Sequence, residues 1–223
     1  MQNPIKPNLK TEIIPILLLT ITAIVAAYFH NILPDQIPIH WNMAGEVNGW
    51  GSKLVGVIVM PLIALFVYLL MLILPTLDPQ KKRYAEFKKT YHIFKSIIVL
   101  FVVIIYFTTL LYALGYNIAV GIVIPLLIGL IFIVFGNYMG KIKKNWFLGI
   151  RTPWTLSSEE VWNKTHRFGG KLFIAGGLLF MLEPFLPANW QNPIFITIII
   201  MIVFGTFGYS YIAYKNEKNN PLN

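Results

Sequence analysis

Apolar residues along this chain gather in six long blocks rather than at the spacing of a one-sided helix or strand. The blocks run from Ile13 to Phe29, Leu54 to Leu74, Ile93 to Leu114, Ile118 to Tyr138, Phe168 to Pro187 and Ile194 to Tyr214. Each is close to the ~20 residues that cross about 30 Å of hydrocarbon as a helix. Lipid offers the backbone no hydrogen-bond partners, so a spanning segment must satisfy its own N–H and C=O groups. The pattern therefore predicts an all-α polytopic membrane protein, a six-transmembrane-helix bundle. The fifth block is the weakest, because its uncharged core from Leu172 to Leu182 is short and it leans on Lys171 and Glu183 at its ends. Lys171 can reach the interface along its aliphatic stem. Pro61 and Pro125 fall inside spans, free a carbonyl each and predict kinks. The third and fourth blocks are joined only by about Gly115 to Asn117, which predicts a tight antiparallel helical hairpin. Gly136 and Gly140 form a G-x-x-x-G pattern which, with Gly176 and Gly177, predicts close helix contact.

Composition agrees: 57% of residues are hydrophobic and 12% charged, too little polar surface to clothe a water-soluble domain. The net charge of +9 taken alone would suggest nucleic acid, but its placement is topological. Of the 18 lysines and arginines, all but Lys53 fall in the N-terminal tail, the second loop with its flank through Lys95, the fourth loop region through Lys171, or the C-terminal tail. The positive-inside rule then puts both termini and the second and fourth loops in the cytoplasm and the first loop outside. No direct nucleic-acid partner is expected. The first block lacks a small-x-small cleavage site and is expected to be a retained span.

Catalytic chemistry finds little footing. The chain has no cysteine, so no disulfide, thiolate metal site or cysteine nucleophile is available. His30, His40, His92 and His166 divide between the two membrane sides, and no H-E-x-x-H, G-x-S-x-G or phosphate-binding glycine loop occurs. Glu183 is expected to be the lone intramembrane carboxylate. No enzyme activity, cofactor or metal is therefore expected, and a proton-coupled transporter is disfavoured for want of buried ionisable groups.

Two loops carry the candidate contacts. In the first, Asn31 to Lys53, Trp41 and Trp50 offer flat amphipathic surfaces to a hydrophobic peptide, with Asp35, His40, Asn42 and Glu46 placed to orient it. The same tryptophans serve equally well as an interfacial belt, with His40 bonding the loop to itself. Asn48-Gly49 and Gly51 predict turns, and Glu183 is a candidate partner for Lys53 or a ligand contact. In the fourth loop, Ser157 and Glu160 form a capping-box pattern with Leu156 and Val161 as a hydrophobic staple. They predict a short interfacial helix from about Ser158 to Phe168, turning Trp162 and Thr165 to the bilayer, with Trp146 and Trp154 at headgroup depth.

The stretch GNYMGKIKKNWFLGIRTPWTLSSEEVWNKTHRFGGKLF, Gly136 to Phe173, resembles the SdpI family of immunity proteins, most densely at Asn137, Gly140, Asn145, Gly149 to Trp154, Trp162, Thr165, His166 and Arg167. The segment LPDQIPIHWNMAGEVNGWGSK in the first loop resembles a small membrane domain known as DUF1648. The resemblance implies a DUF1648-like region over residues 1–75, an SdpI-like region over residues 76–223, and a multi-pass place in the bacterial cell membrane. It implies immunity to a secreted membrane-active peptide toxin met on the outer side, together with capture of a cytoplasmic repressor. Arg151, His166 and Arg167, with Trp154 and Trp162 beside them, are the candidates for that inner contact, although anionic lipid is a simpler partner for them. A small transporter or lipid-handling protein on the same bundle is the alternative.

Overall fold

The computed structural model describes residues 3–219 and contains six helices long and apolar enough to cross a membrane, one for each predicted block. Helix α1 spans Leu9–Phe29 and starts at Asn8, whose side chain accepts from the Lys10 and Thr11 amides while the Thr11 hydroxyl closes a capping box. Helix α2 spans Met60–Leu77 behind a π-helical turn at Val55–Val59. That turn lies directly ahead of Pro61, which lacks an N–H and would crowd the carbonyl four residues back in a regular helix. Helix α3, Tyr84–Ala113, is interrupted at Phe87 (φ −127°, ψ 23°). Helix α4 is Val120–Met139, α5 is Pro153–Ser157, α6 is Glu159–Leu182 and α7 is Gln191–Lys218.

The chain packs as two units. One comprises residues 6–73 and 92–124, the other residues 3–5, 74–91 and 125–219, so that α2, α3 and α4 each contribute to both. The first, here the hairpin unit, has two buried apolar clusters. Ala26, Leu33, Ile37, Tyr106 and Leu110 form one, and Ala64, Tyr68, Val99 and Val103 the other.

The strands of this unit lie in the first loop, an antiparallel β-hairpin of β1 (Gln36–Trp41) and β2 (Val47–Ser52). Pro38 faces Trp50 and Trp41 faces Val47, with irregular register at each side of His40. The turn expected at Asn48-Gly49 is absent, since both residues sit inside β2. The reversal lies at Asn42 to Gly45 instead, where Gly45 has φ +80° and a Cβ would stand 2.5 Å from the Gly121 amide nitrogen. Only glycine both adopts that turn and lets the hairpin tip touch the start of α4. The Asn42 side chain adds a bond from the Glu46 amide, giving the competing turn the stronger local support.

In the C-terminal unit, α4 and α6 cross antiparallel on two glycine pairs. A Cβ on Gly136 would meet the Gly170 carbonyl at 2.5 Å, and one on Gly177 would meet the Gly129 carbonyl at 2.6 Å. The expected Gly136/Gly140 pattern is thus replaced by glycines seven residues apart on each helix. Gly140 lies beside Arg167 and Gly176 faces Ile198 and Ile202 of α7. Phe132 packs on Phe173 (5.1 Å) and Phe180 (5.3 Å), and Phe168 stacks on Tyr209 (4.2 Å).

The short helix expected to end near Phe168 does not end there: α6 continues unbroken from Glu159 to Leu182. Its cap is Ser158, which accepts from the Val161 amide, whereas the Ser157 hydroxyl bonds back to the Trp154 carbonyl. The fourth loop's short helix is α5, opened by a Thr152–Thr155 capping box. Trp162 and Thr165, expected to face lipid, are buried against protein because the helix that carries them is the base of a span.

Candidate functional site

The hairpin spends its polar side chains on itself. His40 Nδ1 bonds Asn48 Oδ1 (2.5 Å), Asn42 Nδ2 donates to Glu46 Oε2 (2.9 Å), and Asp35 pairs with Lys53 (3.1 Å). Trp41 is half-buried with its ring edge-on to Tyr112 at 5.8 Å. What remains turned outward is apolar: Trp50 is 59% exposed, Ile39 45% and Met43 43%. Of the six first-loop candidates, therefore, Asp35, His40, Asn42 and Glu46 are tied into the hairpin's own bonds and Trp41 anchors it, while Trp50 alone presents a large apolar surface that is free. The Lys53 partner is Asp35 rather than Glu183. Glu183 is only 3% exposed, and none of the ion pairs among the described residues includes it.

A polar cluster that the sequence reading missed lies deeper in the hairpin unit. Lys95 of α3, fully buried, places Nζ 2.5 Å from both carboxylate oxygens of Glu12 at the start of α1. Tyr68 of α2 donates its hydroxyl to Glu12 Oε2 (2.9 Å) and Thr11 donates to Oε1 (2.8 Å). His92 Nδ1 stands 3.3 Å from Lys95 Nζ and 3.6 Å from Glu12 Oε1. Three spans thus converge on one carboxylate. The expectation that Glu183 would be the lone intramembrane carboxylate is corrected, and with it the ground on which a proton-coupled role was disfavoured. Lys95, counted as a loop cation, is a span residue neutralised internally. The available signal was that Glu12 and Lys95 each sit at the edge of an apolar block, where a charge without a partner is costly.

The fourth loop, in the C-terminal unit, is held by two buried side chains. Asn145 accepts from the Phe147 and Leu148 amides through Oδ1 and donates to the Lys143 and Leu148 carbonyls. Asp78, from the second loop, accepts from the Gln80 amide (2.7 Å), the Tyr84 hydroxyl (2.9 Å) and the Trp146 amide (2.8 Å). The second loop is therefore more than a basic run: it clamps the fourth. Arg83 extends the clamp by pairing with Glu159 and Glu86.

His166 is fully buried and both ring nitrogens are committed. Its Nε2 accepts from the Ile150 amide (2.9 Å) and its Nδ1 faces the Trp162 carbonyl (2.8 Å), which requires the neutral tautomer protonated at Nδ1. Trp162 stacks on that imidazole at 4.0 Å and donates Nε1 to the Ile142 carbonyl (2.8 Å). Trp154 packs on Phe207 and Tyr211 of α7 (4.9 and 5.1 Å). Of the fourth-loop candidates, Trp162 and His166 form an internal strut and Trp154 a packing contact, leaving Arg151 and Arg167 exposed. No group of three or more histidine, aspartate or glutamate side chains able to hold a metal occurs among the described residues.

Comparisons with known proteins fit this geometry. The model of the SdpI/YfhL protein family matches residues 141–212, the stretch from the clamped loop into α7, and a domain of unknown function, DUF1648, matches residues 17–65, covering the hairpin. The immunity protein SdpI of Bacillus subtilis (strain 168) is 28% identical over 207 residues, which are 93% of this chain and 97% of that relative. No solved structure matches.

Proposed function

We propose, from the premise that the chain is an SdpI-family membrane protein, that it protects a bacterial cell against a secreted, membrane-active peptide and engages that peptide through the β-hairpin. The observation that carries this reading is the hairpin's division of labour: His40, Asn48, Asn42 and Glu46 bond to one another while Trp50, Ile39 and Met43 remain outward. A rigid scaffold presenting an aromatic and two aliphatic side chains suits an apolar peptide, because the scaffold loses little entropy on binding. In this reading both termini and the second and fourth loops are cytoplasmic and the hairpin faces outward. Capture of a cytoplasmic repressor then falls to Arg167, an exposed member of the fourth-loop set that lies on α6.

Survival of a toxin-sensitive strain expressing the chain tests the reading. Trp50→Ala should abolish protection while leaving the amount of protein in the membrane unchanged, and full protection by that variant would defeat it. Because the chain has no cysteine, Ser52→Cys and Ser157→Cys report sidedness directly. An impermeant thiol reagent added to intact cells should label the first and spare the second. The buried Glu12–Lys95 cluster favours one second reading, a proton-coupled transporter, which would show as proton flux in vesicles reconstituted with the purified chain.

A further inference from the structure

Between Gly140 and Thr152 the chain carries Lys141, Lys143, Lys144 and Arg151 and no acidic residue. These cations begin two residues past the last residue of α4, Met139, and so stand at the end of a span. The carboxylates of this unit are already engaged, apart from Glu183, buried beyond the far end of α6. Glu159 and Glu86 hold Arg83, Glu160 holds Lys164, Glu217 accepts from Ser158, and Asp78 is filled by three neutral donors. Lys143 and Lys144 form none of the ion pairs among the described residues, and Glu159, on the helix that follows, is already held by Arg83. Arg151 has no carboxylate partner among the ion pairs of the described residues.

Positive charge on cytoplasmic loops is general in membrane proteins; here the charge is also held in place. Asn145 knots residues 143–148 together, the Trp146 amide is tied to Asp78, and Arg151 Nη1 donates to the Trp146 carbonyl at 2.6 Å. The Trp146 ring is left 47% exposed beside that arginine. A guanidinium with a fixed fork presents paired donors to a phosphate, and an indole favours the boundary between headgroups and acyl chains.

We propose that the loop from Lys143 to Arg151 is a binding site for the phosphate headgroup of an anionic phospholipid, with Lys143, Lys144 and Arg151 on the phosphate and Trp146 at the glycerol level. The site rests on surplus charge held by a buried hydrogen-bonded frame, just past the end of a helix long enough to span a membrane.

Native mass spectrometry of the full chain released from micelles containing equal amounts of dioleoyl phosphatidylglycerol and dioleoyl phosphatidylcholine tests it. The wild type should retain phosphatidylglycerol selectively, and millimolar inorganic phosphate should leave that retention unchanged. At about fivefold per interfacial cation, the triple variant Lys143→Gln/Lys144→Gln/Arg151→Gln should weaken phosphatidylglycerol binding roughly a hundredfold. The charge-matched control Lys82→Gln/Lys88→Gln/Lys89→Gln, on the second loop, should weaken it by no more than about fivefold. Equal retention of the two lipids, displacement by phosphate, or equal loss in the two triple variants would each overturn the site. Selective binding of an acidic soluble protein with no preference between the lipids would assign the surface to that partner instead.

Discussion

Removing Lys95 alone should harm this protein more than removing Lys95 and Glu12 together. With Lys95→Met, the Glu12 carboxylate loses its lysine counter-ion and keeps the hydroxyls of Tyr68 and Thr11 and the His92 ring at 3.6 Å, in a site where its residue is 7% exposed. With Glu12→Gln, a fully buried ammonium loses its counter-ion. Breaking one side of a buried pair costs about 3–5 kcal/mol, whereas replacing both partners with neutral groups of similar volume is often close to neutral. At about 2–4 °C per kcal/mol for a chain of this size, each single variant should unfold roughly 6–20 °C below the wild type. The double variant Glu12→Gln/Lys95→Met should recover most of that loss, giving a coupling energy of about 3 kcal/mol or more in a double-mutant cycle. Thermal unfolding of the detergent-solubilised chain, followed by tryptophan emission with all four proteins in one detergent, provides the measurement. If the single losses simply add in the double variant, Glu12 and Lys95 do not form the pair described, and the convergence of α1, α2 and α3 on that carboxylate is wrong.

Gly136→Ala should destabilise the α4–α6 crossing by about 1–3 kcal/mol, since the new Cβ would meet the Gly170 carbonyl at 2.5 Å. Gly208→Ala on α7, which meets nothing within 4 Å, should leave the same unfolding midpoint unchanged or slightly raised. Asn145→Ala removes the acceptor for the Phe147 and Leu148 amides, a cost of about 1–3 kcal/mol for each amide left dry, and so should release the fourth loop. Limited trypsin digestion should then cut after Lys143 and Lys144 at enzyme levels that leave the wild type whole; unchanged resistance would show that Asp78 alone holds the loop.

Membrane architecture was open to inspection in the primary structure because it depends on summed properties. Six apolar blocks of spanning length and the crowding of lysine and arginine into alternate loops are additive signals, and each block became one long helix. Motifs of the hairpin and the fourth loop were also visible as resemblances. Their internal roles were not. His166 and Trp162 look like exposed recognition residues in a basic loop, yet one imidazole closes a hydrogen bond to Ile150, sixteen residues back, and the indole covers it. The Ser157 capping pattern was similarly outcompeted one residue later, because Ser158 caps a helix that continues into a span.

What the residue order decided by itself is therefore what burial in lipid demands of any segment taken singly: length, apolarity, flanking charge and the absence of a cysteine-based chemistry. What only the tertiary structure decided are the pairings between distant positions, Glu12 with Lys95, Asp78 with the Trp146 amide, and Gly136 with Gly170. A helix carries its own hydrogen bonds and can be recognised locally. A buried charge or a missing Cβ acquires meaning only from the atom that faces it, and that atom is chosen by packing.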